Sequence, residues 1–240
     1  MTQTHTWLRA EFQCHSFHYR MPDTVAINSV NPSLPSPLTV QMAMLASLLR
    51  EGRSGDAQTL LEHFPLELRV RPPQGAIIFR AFMRFVRPPK SPDDLDKNTG
   101  SGYKISPHYR EFALLEGALE VYVHTPLGQR ALFTEALERI PYLGTKDSLV
   151  TCVGVDEVEA PPQNCAVRLA EYTPAEDDDL MMVQLADFDT QEVKAKKAPL
   201  TLENVLPSQR DKKHYRLDTY VLRGRLESQG NVKLFKRGGA

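Results

Sequence analysis

The sequence lacks the features that mark membrane-spanning and secreted proteins. It has no apolar run long enough to cross a bilayer. Its first residues, MTQTHTWLRAEF, have neither the basic nor the apolar region of a signal peptide. Cysteine is scarce: Cys14, Cys152 and Cys165 are an odd number of thiols, at spacings that match no disulfide framework. We therefore expect free thiols, a reducing cytoplasm as the location and no membrane partner.

Motifs for metal and nucleotide chemistry are absent as well. None of the cysteines belongs to a CxxC pair, which argues against a zinc site. The sequence contains no G-x-x-x-x-G-K-[ST], no H-E-x-x-H and no nucleophile elbow. His15 and His18, near Cys14 on the first predicted strand, suit surface or partly buried strand positions better than metal ligation. The sequence thus predicts no metal site, no cofactor and no catalytic residue.

Charge is nearly balanced over the whole chain but unevenly distributed along it. The formal net charge of -1 does not by itself suggest nucleic-acid binding. Residues 154–194, however, hold eleven acidic and two basic residues, whereas residues 209–240 hold nine basic and three acidic ones. Residues 64–90 hold six basic residues and one acidic residue. Basic blocks of this kind can bind phosphate locally, although solvated strand faces would give the same pattern.

The N-terminal part of the sequence predicts a strand followed by a buried helix. Apolar and polar residues alternate over Leu8–Cys14, as expected of a half-buried strand. After a proline-rich loop, Ser36 and Pro37 suit the N-cap and the first helical position. The helix over Leu38–Arg50 is apolar nearly all round, so it should be buried.

An irregular segment then interrupts the strands. A small strand near Leu66 precedes a longer one over Gly75–Val86, and Arg87–His108 follows with the sequence RPPKSPDDLDKNTGSGYKISPH. This stretch is rich in Pro, Gly, Ser and Asp and has no apolar period, which predicts a loop. Because the chain returns to a predicted strand over Phe112–Val123, the loop should project from the sheet. A loop of this length inside a compact domain is usually functional or disordered.

The most regular pattern follows this loop. After the strand that ends at Val123, Thr125-Pro126 offers an N-cap and a first helical residue for a helix over Leu127–Ile140. A polar turn, Gly144-Thr145-Lys146, leads to another strand that begins at Leu149. The order strand, helix, strand, loop, strand, helix, strand is the split βαβ, or ferredoxin-like, pattern.

We therefore predict an α+β protein with a ferredoxin-like βαββαβ domain over residues 1–154. A long inserted loop, at about residues 87–109, lies between its second and third strands. Residues 155–240 contain weaker strand patterns over Ala166–Tyr172 and Leu180–Leu185, and a final hairpin around Gln229-Gly230. They predict a smaller, β-rich C-terminal lobe that packs on the first domain.

Three stretches share their order and spacing with a known family. They are Phe17–Leu49 (FHYRMP to NPSLPSPLTVQMAMLASLL), Tyr109–Val123 (YREFALLEGALEVYV) and Tyr142–Thr151 (YLGTKDSLVT). In this order, with a long insertion between the second and third strands, they resemble the RAMP-fold Cas-five family of type I CRISPR Cascade complexes. The chain departs from the family at Gln41 and Ala43, where glycines often follow the threonine of the first helix.

The resemblance implies an RRM-like fold and a non-catalytic subunit of an antiviral ribonucleoprotein complex. Such subunits cap the end of the Cascade filament and hold the 5′ handle of the CRISPR RNA (crRNA). Their thumb, which is the inserted segment, meets the neighbouring backbone subunit of the Cas-seven type and the guide. They also contact the large subunit of the Cas-eight type and target DNA near the protospacer-adjacent motif.

A single-stranded RNA handle needs phosphate donors and flat surfaces on which bases can stack. The predicted loop and its flanks supply basic and aromatic residues, while the glycine turn and the first helix start supply N–H groups and hydroxyls. Each of these residues also has an ordinary role, such as an N-cap, a loop anchor or a solvated lysine, but together they group around one sheet edge. The candidate RNA-binding residues are Arg20, Ser36, Thr39, Arg84, Arg87, Lys90, Tyr103, Lys104, His108, Tyr109, Arg110, Gly144, Thr145, Lys146 and Ser148.

Two other functions stay open at this point. In one Cascade subtype, family members cut the repeat RNA without metal, using a Tyr, a Lys and a His. His214 between Lys213 and Tyr215 has these residue types, as does Lys104 with His108. The third possibility is a ferredoxin-like protein-interaction module with no affinity for RNA.

Overall fold

The computed structural model describes residues 4–14, 16–18, 34–87, 95, 104–174, 179–188, 200–205 and 215–238. Within them the helices are α1 (Pro37–Arg50), α2 (Ser54–Leu61), α3 (Arg130–Glu138) and a short α4 (Leu202–Val205). The strands are β1 (His5–Cys14), β2 (Leu68–Arg71), β3 (Gly75–Arg87), β4 (Lys104–Glu116), β5 (Leu119–Pro126), β6 (Val150–Val158), β7 (Val167–Arg168), β8 (Leu180–Phe188), β9 (Tyr215–Gln229) and β10 (Val232–Arg237). The predicted mixture of helices and antiparallel sheets is confirmed.

The first sheet has four strands in the order β2-β5-β1-β6, and every neighbouring pair is antiparallel. The alternation predicted for β1 is observed, with Leu8, Ala10 and Phe12 buried in the core. Helix α3 packs against β1, β5 and β6, while α1 packs against α2 and α3. One face of the sheet is therefore covered by helices, and the other carries the polar positions of its strands.

The first helix forms as the sequence predicts. Ser36 is its N-cap, with the hydroxyl oxygen accepting a hydrogen bond from the backbone N–H of Thr39 at 3.2 Å, and Pro37 is the first helical residue. The apolar residues Val40, Met44, Leu45 and Leu48 are buried, as expected of a helix in the core. The buried Gln41 makes two links: Oε1 accepts from the Leu66 N–H at 2.8 Å, and Nε2 donates to Asp187.

Helix α3 begins later than predicted. Thr125 and Pro126 remain in β5, where Pro126 is the register partner of His5 in β1, and a 3₁₀ turn over Leu127–Gln129 precedes the helix. The prediction of an N-cap at Thr125 is wrong because pairing with β1 holds this dipeptide in extended backbone.

The strands around the predicted loop differ from the prediction in two ways. Residues 104–109, predicted as loop, belong to β4, which pairs with β3 from Gly75↔Glu116 to Arg87↔Lys104. The predicted strand Phe112–Val123 is also two strands, since the chain breaks at Gly117, which has φ +82°. Glycine adopts this backbone region without steric cost, so β4 and β5 can enter different sheets.

The strand near Leu66 was predicted as a small addition, but β2 occupies the position beside β5 in the first sheet. Residues Pro72-Pro73, which have no backbone N–H to continue a ladder, separate it from β3. The longer strand β3 leaves this sheet and pairs with β4 and β10. The hairpin of β3 and β4, rather than a loop alone, is therefore inserted between β2 and β5.

The second sheet has the order β4-β3-β10-β9-β7, and β8 also pairs with β9. The predicted final hairpin is confirmed as β9 and β10, which turn at Gly230 with φ +58°. The pattern over Leu180–Leu185 is confirmed as part of β8, whereas Ala166–Tyr172 contains only the two-residue strand β7 and a 3₁₀ turn. The division at residue 154 stays a prediction. No helix in the described ranges has the length and apolarity that crossing a membrane requires.

A buried polar network joins the second sheet to helix α1. Asp187 on β8 is 5% exposed. Its Oδ2 accepts hydrogen bonds from Arg168 at 2.5 Å and Tyr220 at 3.0 Å, while its Oδ1 accepts from the Phe188 N–H at 2.8 Å and from Gln41 at 3.4 Å. Burial raises the pKa of the Asp187 carboxyl, and Arg168 opposes that rise. A buried carboxylate is stable only when it is paired. The donors to Asp187 come from β7, β9 and α1, so the network holds the second sheet against helix α1.

Candidate nucleic-acid interface

The β3–β4 hairpin carries basic and aromatic side chains on one face. Arg80, Phe82 and Arg84 occupy alternate positions of β3 and therefore point to the same side. Tyr109 of β4 is the register partner of Phe82 and shares this side. These four residues are called the cationic-aromatic face below.

The two rings of this face are open to solvent. Phe82 and Tyr109 are each 51% exposed, and their ring centroids lie 5.2 Å apart at an interplanar angle of 58°. The Arg84 guanidinium lies 5.9 Å from the Phe82 centroid. Unpaired bases can stack on large exposed rings, and guanidinium groups beside the rings can neutralise the phosphates of the same strand.

A buried carboxylate fixes the inner end of the face. Glu111 of β4 is 6% exposed, and its Oε1 lies 3.4 Å from Nε of Arg80 and 3.4 Å from Nζ of Lys233 on β10. A cavity of about 400 Å³ opens here and is bordered by the turn between β9 and β10. Glu111 therefore brings two cations from distant parts of the sequence to one side of the sheet.

The structure places only some of the predicted RNA-binding residues on this face. Arg84 and Tyr109 belong to it. Arg110 lies on the opposite side of β4, where Nη1 donates to Asp147 at 2.6 Å. This ion pair ties β4 to the turn before β6 rather than presenting the guanidinium beside Tyr109.

The predicted anion-binding turn has its hydroxyls engaged by backbone. Ser148 is fully buried: its Oγ accepts from the His18 N–H at 2.9 Å and donates to the His18 carbonyl at 2.6 Å. Thr145 donates to the same carbonyl at 3.1 Å. Gly144 has φ +86°, and Lys146 is exposed. The turn thus anchors the chain that follows β1, and RNA contact by Lys146 stays a prediction.

The hydroxyls at the start of helix α1 are also engaged within the protein. Ser36 is fully buried, and its hydroxyl and that of Thr39 lie 2.9 Å apart within the cap of α1. This geometry fits the capping role that the sequence predicts for Ser36, and an RNA contact here also remains a prediction.

The other predicted residues have limited descriptions. Arg87, Lys104 and His108 are placed in the β3–β4 ladder by their backbone, and their side chains lie outside the described part. The residues Arg20, Lys90, Tyr103, Lys213 and His214 all lie outside the described ranges.

Sequence reasoning missed three residues of this site. Phe82 and Arg80 stand at alternate positions with Arg84, so the period of β3 was a signal that could have identified them. Lys233 could not be identified in this way, because only the pairing of β10 with β3 brings it to Glu111.

Comparison with known proteins supports the resemblance that the sequence suggests. No protein-family model matches the chain. Over 173 residues the chain is 20% identical to a protein of Archaeoglobus fulgidus named CRISPR-associated protein Cas5, which covers 71% of this chain and 73% of that protein. The predicted resemblance to the Cas-five family is thus confirmed.

Solved structures give weaker likenesses. A crystal structure of a CRISPR protein from Archaeoglobus fulgidus has a TM-score of 0.41 at 13% identity, covering 98% of this chain and 93% of that one. A chain of a CRISPR RNA-guided surveillance complex has a TM-score of 0.39 at 15% identity, covering 98% of this chain and 90% of that one. At TM-scores below 0.5 these likenesses carry no weight for function.

Proposed function

We propose that this chain is a non-catalytic subunit of a type I CRISPR Cascade surveillance complex. It caps the filament and holds the 5′ handle of the crRNA, so that the guide can direct DNA targeting in the cytoplasm. The observation that carries the proposal is the cationic-aromatic face, in a chain whose curated relative is named CRISPR-associated protein Cas5.

The fold assignment that accompanies this function is a ferredoxin-like, RRM-like unit of the RAMP type. In chain order its elements are β1, α1, β2, β5, α3 and β6, and the four strands among them form the sheet β2-β5-β1-β6. What supports the assignment is that this is the order of a split βαβ fold, with both crossover helices on one face. The β3–β4 hairpin then takes the place of the thumb.

The chemistry of the hairpin favours single-stranded RNA over a duplex. Rings that are half exposed can stack only on bases whose faces are open, as in a single-stranded handle. Arg80 stands two residues before Phe82 on β3 and Arg84 two residues after it, so both lie on the same side as the ring. The Arg84 guanidinium lies beside the Phe82 ring. The two arginines are placed to neutralise phosphates of a strand whose bases stack on Phe82 and Tyr109.

The partners follow from the same proposal. The crRNA handle occupies the cationic-aromatic face, and the hairpin meets a backbone subunit of the Cas-seven type. The large subunit of the Cas-eight type and target DNA near the protospacer-adjacent motif complete the assembly.

The testing experiment measures binding of a labelled CRISPR repeat RNA to the full chain across a range of salt concentrations, with and without chelator. We expect binding without cleavage, and an affinity that falls as salt rises because phosphate contacts release counterions. The assembled complex should also fail to form without this chain. Normal assembly in its absence would contradict the proposal.

The same assay tests the two alternatives. A single cut in the repeat that persists with chelator, and is lost in His214→Ala or His108→Ala, would identify an endoribonuclease instead. Absence of RNA affinity both for the isolated chain and for the assembled complex would leave a protein-interaction module.

A further inference from the structure

The cavity beside Glu111 lies on the same side of the second sheet as the cationic-aromatic face. Glu111 is the register partner of Arg80, which belongs to that face. Lys233 is the register partner of Ile78, two positions before Arg80, and Ser228 of β9 is the register partner of Lys233. Because residues at alternate positions and register partners share a side of a sheet, β3, β4, β9 and β10 all contribute side chains to the side on which we place the RNA strand.

The cavity opens where strand β10 begins beside β3. The outermost pair of these two strands is Val232 with Phe79, so the described part of β10 does not flank β3 from Arg80 onward. The turn between β9 and β10 borders the space that this leaves, which has a volume of about 400 Å³. That volume lies in the range of pockets that hold small ligands. Arg80 stands two residues before Phe82, about 7 Å along the strand, so the cavity is within reach of the nucleotide next to a base stacked on Phe82.

The lining of the cavity is cationic where it meets solvent. It contains two cations and one carboxylate, a net charge of +1. The side chains of Arg80 and Lys233 are 68% and 39% exposed, whereas that of Glu111 is 7% exposed. A phosphate that approaches from solvent therefore meets the two cations before the carboxylate that lies between them. Ser228 and Asn231 add a hydroxyl and an amide to the lining, and both groups can donate and accept hydrogen bonds.

We propose that this cavity is a subsite for one further nucleotide of the single-stranded RNA that occupies the cationic-aromatic face. Lys233 and Arg80 together neutralise the phosphate of this nucleotide. Its base enters the cavity, where Ser228 and Asn231 form hydrogen bonds with the base edge. The inference rests on the proposed function, because it extends the path of the same RNA from the β3–β4 hairpin to the turn between β9 and β10.

The phosphate contact is tested by measuring binding of the labelled repeat RNA across salt concentrations. The full chain is used or, where only the assembly binds RNA, the assembled complex. Lys233→Gln should weaken binding about fivefold at about 0.1 M salt and make the slope of log K against log salt concentration shallower by about 0.7, the value for one phosphate contact to a single strand. The matched control is Lys236→Gln, which removes an exposed lysine of the same strand on the opposite side of the sheet and should leave both quantities at the parent values.

The base contact is tested with Ser228→Leu. A leucine at this exposed position fills part of the cavity without changing the charge. Binding should therefore weaken about 5- to 100-fold, while the salt dependence stays that of the parent. Gln229→Leu makes a similar change at the next residue, which is exposed on the opposite side of β9, and should bind RNA as the parent does.

The outcomes separate this inference from the proposed function. If the parent bound RNA but Lys233→Gln kept its salt dependence, or Ser228→Leu kept its affinity, the subsite would be refuted and the proposed function would stand. If the parent bound no RNA either alone or in the assembled complex, the proposed function and the subsite would both be refuted.

Discussion

Phe82 and Arg84 lie two residues apart on one side of β3, yet they should contribute to RNA binding through different physics. Stacking of a base on Phe82 involves little counterion release, whereas a guanidinium that neutralises a phosphate releases bound cations. Phe82→Ala should therefore weaken repeat-RNA binding about 5- to 100-fold while leaving the salt dependence unchanged. Leu114→Ala, at an exposed position on the opposite side of the hairpin, is the matched control.

Arg84→Gln should act on the salt dependence instead. The slope of log K against log salt concentration should become shallower by about 0.7, the value for one phosphate contact to a single strand. Arg225→Gln removes an exposed guanidinium of β9 that pairs with Glu227 and serves as the charge-matched control. The two roles would be refuted if Phe82→Ala changed the slope or Arg84→Gln did not.

The thiols should be unreactive in the folded protein. Burial raises the pKa of Cys14 to about 11 and that of Cys165 to about 12, so very little of either is thiolate at pH 8. We expect both to react with a thiol reagent at least about a hundredfold more slowly in the native state than in urea. A Cys14 thiol that reacted in the native state at the rate of a free peptide would contradict the burial.

The same shifts give a direction for stability against pH. Because both thiols hold their protons more tightly when folded, their contribution is fully present below the unfolded pKa, about 8.5. It is lost as pH rises through the folded values, so urea midpoints should fall between pH 8 and pH 11. This fall should be smaller in a variant that carries Cys14→Ser and Cys165→Ala.

Strand β9 changes its pairing partner at Gly224, and the backbone at this position requires glycine. It pairs with β8 up to Arg223 and with β10 from Gly224 onward. Gly224 has φ +148°, and a Cβ there would lie 2.4 Å from the Lys236 carbonyl oxygen. Gly224→Ala should therefore destabilise the fold by about 2–4 kcal/mol in urea unfolding.

Gly128→Ala gives the comparison, since a Cβ at that glycine meets no atom within 4 Å. Its free energy of unfolding should stay within about 0.5 kcal/mol of the parent. Similar losses in the two variants would show that the close approach at Lys236 is not what requires glycine.

Elements with a local cause were predictable from sequence, and those set by distant pairing were not. The alternation of β1 and the cap of α1 depend on neighbouring residues, and both were predicted correctly. The period-2 pattern from Phe112 to Val123 continues through Gly117, so it hides the point where the chain changes sheets. Pairing with β3 likewise extends β4 into a segment whose composition predicts a loop.

The candidate site shows the same division. Arg84 and Tyr109 were identified because they flank a conspicuous segment. Phe82 was missed, although the strand period could have identified it. Lys233 reaches Glu111 only through the sheet order, which no local pattern of the sequence specifies. The engagement of the Ser148 hydroxyl was also unpredictable, since its partner, the His18 backbone, lies far away in sequence.

At the scale of the whole molecule, Asp187 should be a main determinant of stability. It receives hydrogen bonds from β7, β9 and α1, so its removal leaves the partly buried Arg168 with only the more distant carboxylates of Asp218, at 3.4 Å, and Glu171, at 3.7 Å. Asp187→Ala should lower the free energy of unfolding by about 3–5 kcal/mol. Asp156→Ala, which breaks a surface pair with Arg9 at a position that is 62% exposed, should cost about 1 kcal/mol or less. Equal losses in the free energy of unfolding for the two variants would mean that the buried network stabilises the fold no more than a surface ion pair does.

The pairing of β3 with β10 has a consequence for how the protein is made. Strand β3 is translated well before its neighbour β10, because β4 to β9 lie between them in the sequence. During synthesis the ribosome therefore releases a β3–β4 hairpin whose inner edge has no partner strand, for the several seconds that the intervening residues require. Exposed edges of this kind promote association between chains. The nascent protein should thus depend on chaperones until β10 emerges.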